Sequence, residues 1–423
     1  MNNTILFIAY VWPEIKSTAA SQNIMSYAHA FKRAGYRVCF ASAAQTSDQS
    51  VNFERLEIEK IQIKLNCDSF DEVIKNVNPD IVLFDRFLTE EQYAWRVAKT
   101  LPNCLRVLDC EDLHCLREAR RLLHKQNKKN QLYVSFPDAN IPINLKELDI
   151  TKREIASIFR SDISIVLSEF EESLLKSSFN VPASSLLYIG FLERKLIPNT
   201  PSFSQRRDFV SIGSFKHEPN WDAVLTLKNN IWPLIKQRLS NAQCHIYGSY
   251  LPPKAKSLEN KNQGFYVHGF TPNAHETLST HKVLLAPINF GAGIKGKLID
   301  AMQVSTPSVT TPIGTEGIET DSLKWPGAKT QNFAEFADIA VQLHESERDW
   351  NSKSQRCAQL LERNFNHEKH IERLLEKIEG TQHLLHEHRA TNFIGSMLMH
   401  HNMASTQYMG QWISAKSKLK QDP

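Results

Sequence analysis

The sequence has no C-x-x-C pair, and its seven cysteines (Cys39, Cys67, Cys104, Cys110, Cys115, Cys244 and Cys357) are scattered and odd in number. This excludes a disulfide framework and points to reduced thiols in a cytosolic chain. No window is apolar for long enough to cross a bilayer, so any membrane association is expected to be peripheral. The first residues, M-N-N-T-I-L-F-I-A-Y-V-W-P, lack a basic leader and have too short an apolar core for a signal peptide. H-E-x-x-H is absent, and His367-Glu368-Lys369-His370 sets its histidines three apart. The carboxylates from Asp109 to Asp112 share one loop and make a poor cage, so no metal is expected. Charge of one sign is missing too. The chain has 50 Lys and Arg against 46 Asp and Glu, a net +4, too balanced to argue for nucleic acid.

What remains is ordinary globular protein, 41% hydrophobic and 23% charged over 423 residues, more than one core usually organises. Apolar runs such as Ile5 to Val11 alternate with segments of helical period such as Ser21 to Ala34. That alternation predicts parallel sheets covered on both faces. The run L-I-P-N-T-P-S-F-S-Q-R-R, 196 to 207, is polar and aperiodic and reads as a linker. Two α/β domains are therefore expected, 1–195 and 208–380, followed by a helical tail, 381–423. The tail holds four of the seven methionines and should be docked rather than free.

The stretch P-I-N-F-G-A-G-I-K-G-K-L-I-D-A-M, 287 to 302, carries the strongest chemical signal. An apolar strand pattern feeds a turn with Gly291, Gly293 and Gly296, in which the backbone can approach a ligand closely. Lys295 and Lys297 sit at the start of a helix pattern, where N–H groups and ammonium groups both favour phosphate. Asp300, one turn on, is placed for a ribose hydroxyl. A second strand-to-helix turn, G-S-F-K-H-E-P-N-W, offers Gly213, Ser214 and Lys216, and the convergence of two such turns says more than either alone. A third candidate is D-C-E-D-L-H-C-L-R, 109 to 117. Asp112 and His114 there suit an acceptor hydroxyl and its proton, but capping of the following helix is the plainer reading while nothing is known to lie opposite. That helix is basic from Arg117 to Lys129. It reads either as a solvated face or as a contact for an anionic acceptor or an anionic membrane surface.

These motifs resemble those of nucleotide-sugar-dependent glycosyltransferases of the GT-B fold, in the large retaining family called group 1 or family 4. The resemblance rests on S-I-G-S-F-K-H-E-P-N-W-D-A-V, C-H-I-Y-G-S, V-H-G-F-T-P, the 286–302 stretch and T-T-P-I-G-T-E-G, in that order, and more loosely on the first half. It implies two doubly wound Rossmann-like domains facing a cleft, an N-terminal acceptor domain and a C-terminal donor domain. It also implies a tail that returns to the first domain. The donor would be a nucleotide-sugar, a substrate rather than a cofactor, and the acceptor a glycan, a lipid-linked group or a protein, in polysaccharide or glycoconjugate assembly. Gly213, Ser214, Lys216, Gly293, Ile294, Lys295, Lys297 and Asp300 would hold the donor, and Asp112 and His114 would stand at the reacting centre. The chain departs from the family at Ala292, where many members have a glutamate, and at Ser214 and Pro219-Asn220, where basic residues are usual. An epimerase on the same scaffold and a degenerate, non-catalytic binding scaffold remain as alternatives.

Overall fold

A computed structural model describes residues 3–129, 141–192, 194–319 and 323–419. The first sheet has seven strands: β1 (Thr4–Ala9), β2 (Arg37–Ser42), β3 (Glu59–Gln62), β4 (Ile81–Asp85), β5 (Leu105–Asp109), β6 (Ile163–Val166) and β7 (Leu186–Tyr188). They run in the order β3-β2-β1-β4-β5-β6-β7. The second has six: β8 (Arg207–Ile212), β9 (Cys244–Tyr247), β10 (Phe265–Gly269), β11 (His281–Ala286), β12 (Ser308–Thr310) and β13 (Gly327–Lys329), in the order β10-β9-β8-β11-β12-β13. Every described strand pair is parallel. Strand order reverses between β1 and β4 and again between β8 and β11. Open α/β sheets hold their ligands beyond the carboxyl ends of the strands at such points.

Burial on both faces explains why the central strands read as unbroken apolar runs. Side chains alternate along β1, so Leu6 and Ile8 join Val82, Phe84, Tyr93 and Val97 on one face. Ile5 and Phe7 pack with Leu83, Tyr27 and Phe31 on the other, and the Phe7 and Phe40 rings stack at 5.5 Å. The second domain is built alike around Phe209, Trp232, Val283, Leu285 and Phe336. Its first helix begins at Glu218 and reaches Arg238 through a π turn, Leu227–Ile231. Pro233 has no N–H to donate and crowds the carbonyl four residues back, which the wider turn relieves. The short strands β3 and β13 were not anticipated. Glu59, Lys60 and Gln62 on β3 are exposed, and Gly327–Lys329 carries almost no apolar pattern.

The chain crosses between domains twice, side by side. Phe191, at the start of the linker, stacks on Phe365, and a Cβ on Gly190 would lie 2.9 Å from the Asn364 carbonyl oxygen. The linker is packed rather than loose. The buried Arg206 guanidinium donates to the carbonyls of Pro201 and Val304 and to Thr306 Oγ1, and it stacks over Trp350.

The return to the first domain begins earlier than the boundary expected at residue 381. Asn366 caps the helix His367–His383, whose Leu374 and Ile378 sit in the core formed by β1, β4 and the helix Ala19–Arg33. Leu374→Ala is therefore expected to cost about 2–5 kcal/mol of first-domain stability. Urea unfolding monitored by circular dichroism checks this, and a loss below about 0.5 kcal/mol would contradict the placement.

Candidate active site

Strand β5 ends at Asp109, and the chain then turns through Glu111 in the left-handed region (φ 56°) into the helix His114–Lys129. Asp112 does not cap this helix. Glu154 accepts from the His114 and Cys115 N–H groups at 3.0 and 2.8 Å, and Glu171 Oε1 accepts from Leu113 N–H at 3.1 Å. Two carboxylates from other helices thus satisfy the orphan donors, and the capping expectation for Asp112 is corrected. Asp112 instead pairs with Arg117, with its other oxygen 3.5 Å from His114 Nε2. Burial alone would raise Asp112, but Arg117 and His114 hold it well below the usual carboxylate range. The His114 ring packs edge-on against Phe87 at 5.4 Å, and burial pushes it down to about 4 against the pull of Asp112. At neutral pH His114 is an uncharged base.

The glycine-rich turn after β11 lies directly against this corner. Gly293 donates its N–H to the same Glu171 Oε1 at 2.9 Å, and its φ is +64°. A Cβ at Gly293 would stand 2.6 Å from Asp112 Cβ, and one at Gly296 would stand 2.4 Å from Ala19 Cβ at the start of the first helix. Glycine is therefore needed at both places to let the two domains meet. Lys297, one residue into the helix Gly296–Gln303, reaches across to Asn220 Oδ1 at 2.7 Å, and Asn220 Nδ2 donates to the Ser214 carbonyl at 3.0 Å. A Cβ on Gly213 would fall 2.7 Å from Lys297 Nζ. Desolvation lowers Lys297 to about 8, and among the described residues no carboxylate pairs with it. His217 completes this wall. Its ring remains accessible at the rim, while the surrounding protein depresses it to about 4 and Asp112 opposes that shift.

Asp300 lies one turn beyond Lys297, half-buried, with Oδ1 at 3.6 Å from His275 Nε2 and 4.0 Å from Arg194 of the linker. The carboxylate of Asp300 beside it raises His275. The buried Asp300 Oδ1 accepts no hydrogen bond among the described residues. Asp112, His114, Gly213, Gly293 and Lys297 thus gather where the two domains meet, with Asp300 one turn beyond Lys297. Three other candidates point elsewhere. Ile294 is buried among Leu167, Phe191 and Leu298 and packs the domains together. Lys295 donates to the Gly293 carbonyl at 2.6 Å and faces Glu316 and Glu171, holding the turn in shape. Lys216 stacks over Tyr250 at 3.4 Å, and the Tyr250 hydroxyl donates to Glu14, so its charge serves another interdomain contact. The Ser214 side chain is half-buried, and its contribution is the carbonyl that fixes Asn220.

Among its described side chains the basic helix does not present a free cationic face. Arg117 pairs with Asp112, Arg121 with Glu118 and Lys125 with Glu218. Arg120 donates to Glu316 and to the Gly291 carbonyl, and His124 and Lys128 both meet Asp222, which Asn289 also reaches. The pairs of Arg120, His124, Lys125 and Lys128 cross to the second domain and the others are local, so the expectation that this helix meets an anionic membrane is left without support. Glu154, Glu171, Asn220, Asp222 and Glu316 were not anticipated. Glu316 and Asn220 stand inside motifs that sequence reading singled out, while Glu154 and Glu171 carry no local pattern. Cavities of about 350 Å³ at the linker crossing and about 220 Å³ beside Arg389 are lined by neither Asp112 nor Lys297.

Residues 206–346, about a third of the chain, match the family model described as glycosyl transferases group 1. The match lies within the second domain, and the two facing parallel-sheet domains have the GT-B fold. No curated protein matches the sequence. Among solved structures, TarM of S. aureus in complex with fondaparinux, alpha-GlcNAc-glycerol and UDP superposes with a TM-score of 0.63 at 10% identity. That match covers 88% of this chain and 99% of the other. Anabaena HepE in complex with UDP gives 0.65 at 10% identity, covering 89% and 100%. The pneumococcal O-GlcNAc transferase GtfA with UDP and GlcNAc gives 0.63 at 10%, covering 90% and 100%. At these identities the likeness is one of fold.

Glu171 gives this junction a pH signature. Burial raises its carboxyl from 4.5 to about 7, so the folded chain binds a proton there that the unfolded chain has released. The stability it contributes is present below pH 4.5 and is lost as the pH rises through 7. Gln at 171 keeps an acceptor for both N–H groups and cannot ionise. Glu171→Gln should therefore flatten the fall in unfolding free energy across that window in urea titrations at stepped pH. An unchanged slope would contradict the assignment.

Proposed function

We propose that this protein transfers a sugar from a uridine diphosphate sugar to an acceptor hydroxyl, with retention at the anomeric carbon. The observation that carries the reading is Lys297. A half-buried ammonium with no carboxylate partner among the described residues, at a helix start beside Gly213, has the surroundings of an anion site. The uridine part of the proposal draws on the neighbours crystallised with UDP. Asp300 would take the ribose hydroxyls, with Arg194 and His275 fixing its carboxylate.

As the bond between the anomeric carbon and the phosphate oxygen breaks, negative charge grows on the departing diphosphate. The Lys297 ammonium and the N–H groups at the start of its helix would stabilise that charge in a cleft from which protein walls exclude water. Retention requires the acceptor hydroxyl to approach from the face the diphosphate leaves, which makes a phosphate oxygen the nearest base for its proton. Asp112, ionised and held by Arg117, would orient the acceptor, and neutral His114 would accept a hydrogen bond beside the reacting centre. Ala292 favours the non-catalytic scaffold as a second reading. It stands where many family members carry a glutamate, and it is buried against the core of the first domain.

Thermal unfolding with a panel of nucleotide-sugars, followed by transfer assays, separates the two. A donor at a hundredfold its Kd should stabilise the chain by about 2.7 kcal/mol. Lys297→Ala should lower turnover by roughly a hundredfold or more without lowering the melting temperature of the free protein. A stabilising donor that is never turned over, or no stabilisation by any donor, supports the scaffold and defeats the transferase.

A further inference from the structure

The terminal helix, Phe393–Leu419, is built inside out. It packs on the helices Arg86–Thr100 and Asp149–Arg160 through its smallest residues. Gly395, Gly410 and Ser414 are buried. A Cβ on Gly395 would come 2.1 Å from the Phe159 carbonyl oxygen, Gly410 abuts the Trp95 ring, and Ser414 Oγ donates to Asp68 at 3.0 Å. Leu398 packs against the first-domain core, while other large apolar side chains stand on the opposite side. Phe393 is 75% exposed, Tyr408 68% and Trp412 58%, with Met397 exposed between them. Positions 393, 397, 401, 408 and 412 fall near whole turns of one another, so these residues share one outward stripe. A tail that had returned only to cover the first domain would have turned these side chains inward. Large exposed apolar side chains grouped on one face of a helix mark an interaction site.

Charge selects the occupant. From His388 to Gln421 the sequence contains no Asp or Glu. The exposed Lys416 lies over the Trp412 ring at 4.8 Å, Lys418 and Lys420 follow in sequence, and His400 and His401 are exposed midway. A second copy paired through the same stripe would set these basic groups against each other with no carboxylate of that helix to answer them. An anionic lipid surface answers them, and Trp, Tyr and Lys side chains have the mixed apolar and polar character that suits a bilayer interface. No helix among the described residues is long and apolar enough to cross a membrane, and one side of this helix is held by the protein. We propose that the stripe Phe393, Met397, Tyr408, Trp412 docks the protein on an anionic lipid bilayer, with the helix lying in the plane of the interface. Apolar insertion and basic attraction together supply the two contributions that stable peripheral binding requires. This surface is separate from the basic helix of the cleft, and the inference does not rest on the transfer reaction.

The test is flotation of the full chain with phosphatidylcholine vesicles, with and without phosphatidylglycerol. The native protein should float with the anionic vesicles and bind the neutral ones, or the anionic ones in high salt, roughly tenfold less well. Tyr408→Ser/Trp412→Ser and, separately, Lys416→Glu should each lower anionic binding, the double variant by roughly tenfold or more. All three side chains are exposed, so the melting temperature should hold, and Lys416→Glu tests the electrostatic part should the double variant misfold. Absence of flotation by the native protein, or equal flotation by the variants, overturns the proposal. A lipid-free dimer in gel filtration that the double variant dissociates also overturns it, by making the stripe an interface between copies.

Discussion

One carboxylate oxygen joins the two halves of this protein. Glu171 Oε1 accepts from Leu113 at the start of the basic helix and from Gly293 in the glycine-rich turn, so the acceptor-side corner and the donor-side loop share a buried acceptor. A buried acceptor with two backbone donors is costly to disturb, because moving either wall away leaves polar groups unsatisfied. The other close approaches cluster around this point. Gly293 meets Asp112, Gly296 meets Ala19, and Arg120 bonds both the Gly291 carbonyl and Glu316. The register of the cleft, and hence the distance between Asp112 and Lys297, follows from how these small contacts fit.

The electrostatics within the cleft divide cleanly. On the first domain Asp112 is kept ionised by Arg117, while burial raises Glu111, Glu154 and Glu171 to about 7. On the second domain Lys297 is left without an acidic partner among the described residues, and Lys295 is drawn to Glu316 and Glu171. Two lysines two residues apart therefore have different work. One holds the turn in shape, and the other carries a charge that a ligand can neutralise. The same division explains the basic helix, whose cations answer Asp222, Glu218 and Glu316 across the cleft and so draw the domains together.

Much of this architecture was legible in the sequence because parallel strands covered on both faces leave unbroken apolar runs. Gly293, Lys297 and Asp300 were legible because a strand, a glycine turn and a helix start form a local pattern. What could not be read was tertiary. Nothing around Glu154 or Glu171 reveals that their carboxylates cap a helix that begins at His114, and so Asp112 looked like the cap. Lys216 and Lys297 look equivalent as lysines near a turn, yet Tyr250 and Glu14 claim the first and Asn220 the second. The tail's apolar content was read as packing, and Leu398 does pack, but the closest inward contacts belong to Gly395, Gly410 and Ser414 and the aromatic side chains face out.

The coupling through Glu171 is open to direct measurement by hydrogen exchange at the Leu113 and Gly293 amides in native protein and in Glu171→Ala. If one carboxylate ties the two walls together, both amides exchange faster in the variant and by similar factors. Acceleration at only one of them, or at neither, would mean that the domains are held in register by something else.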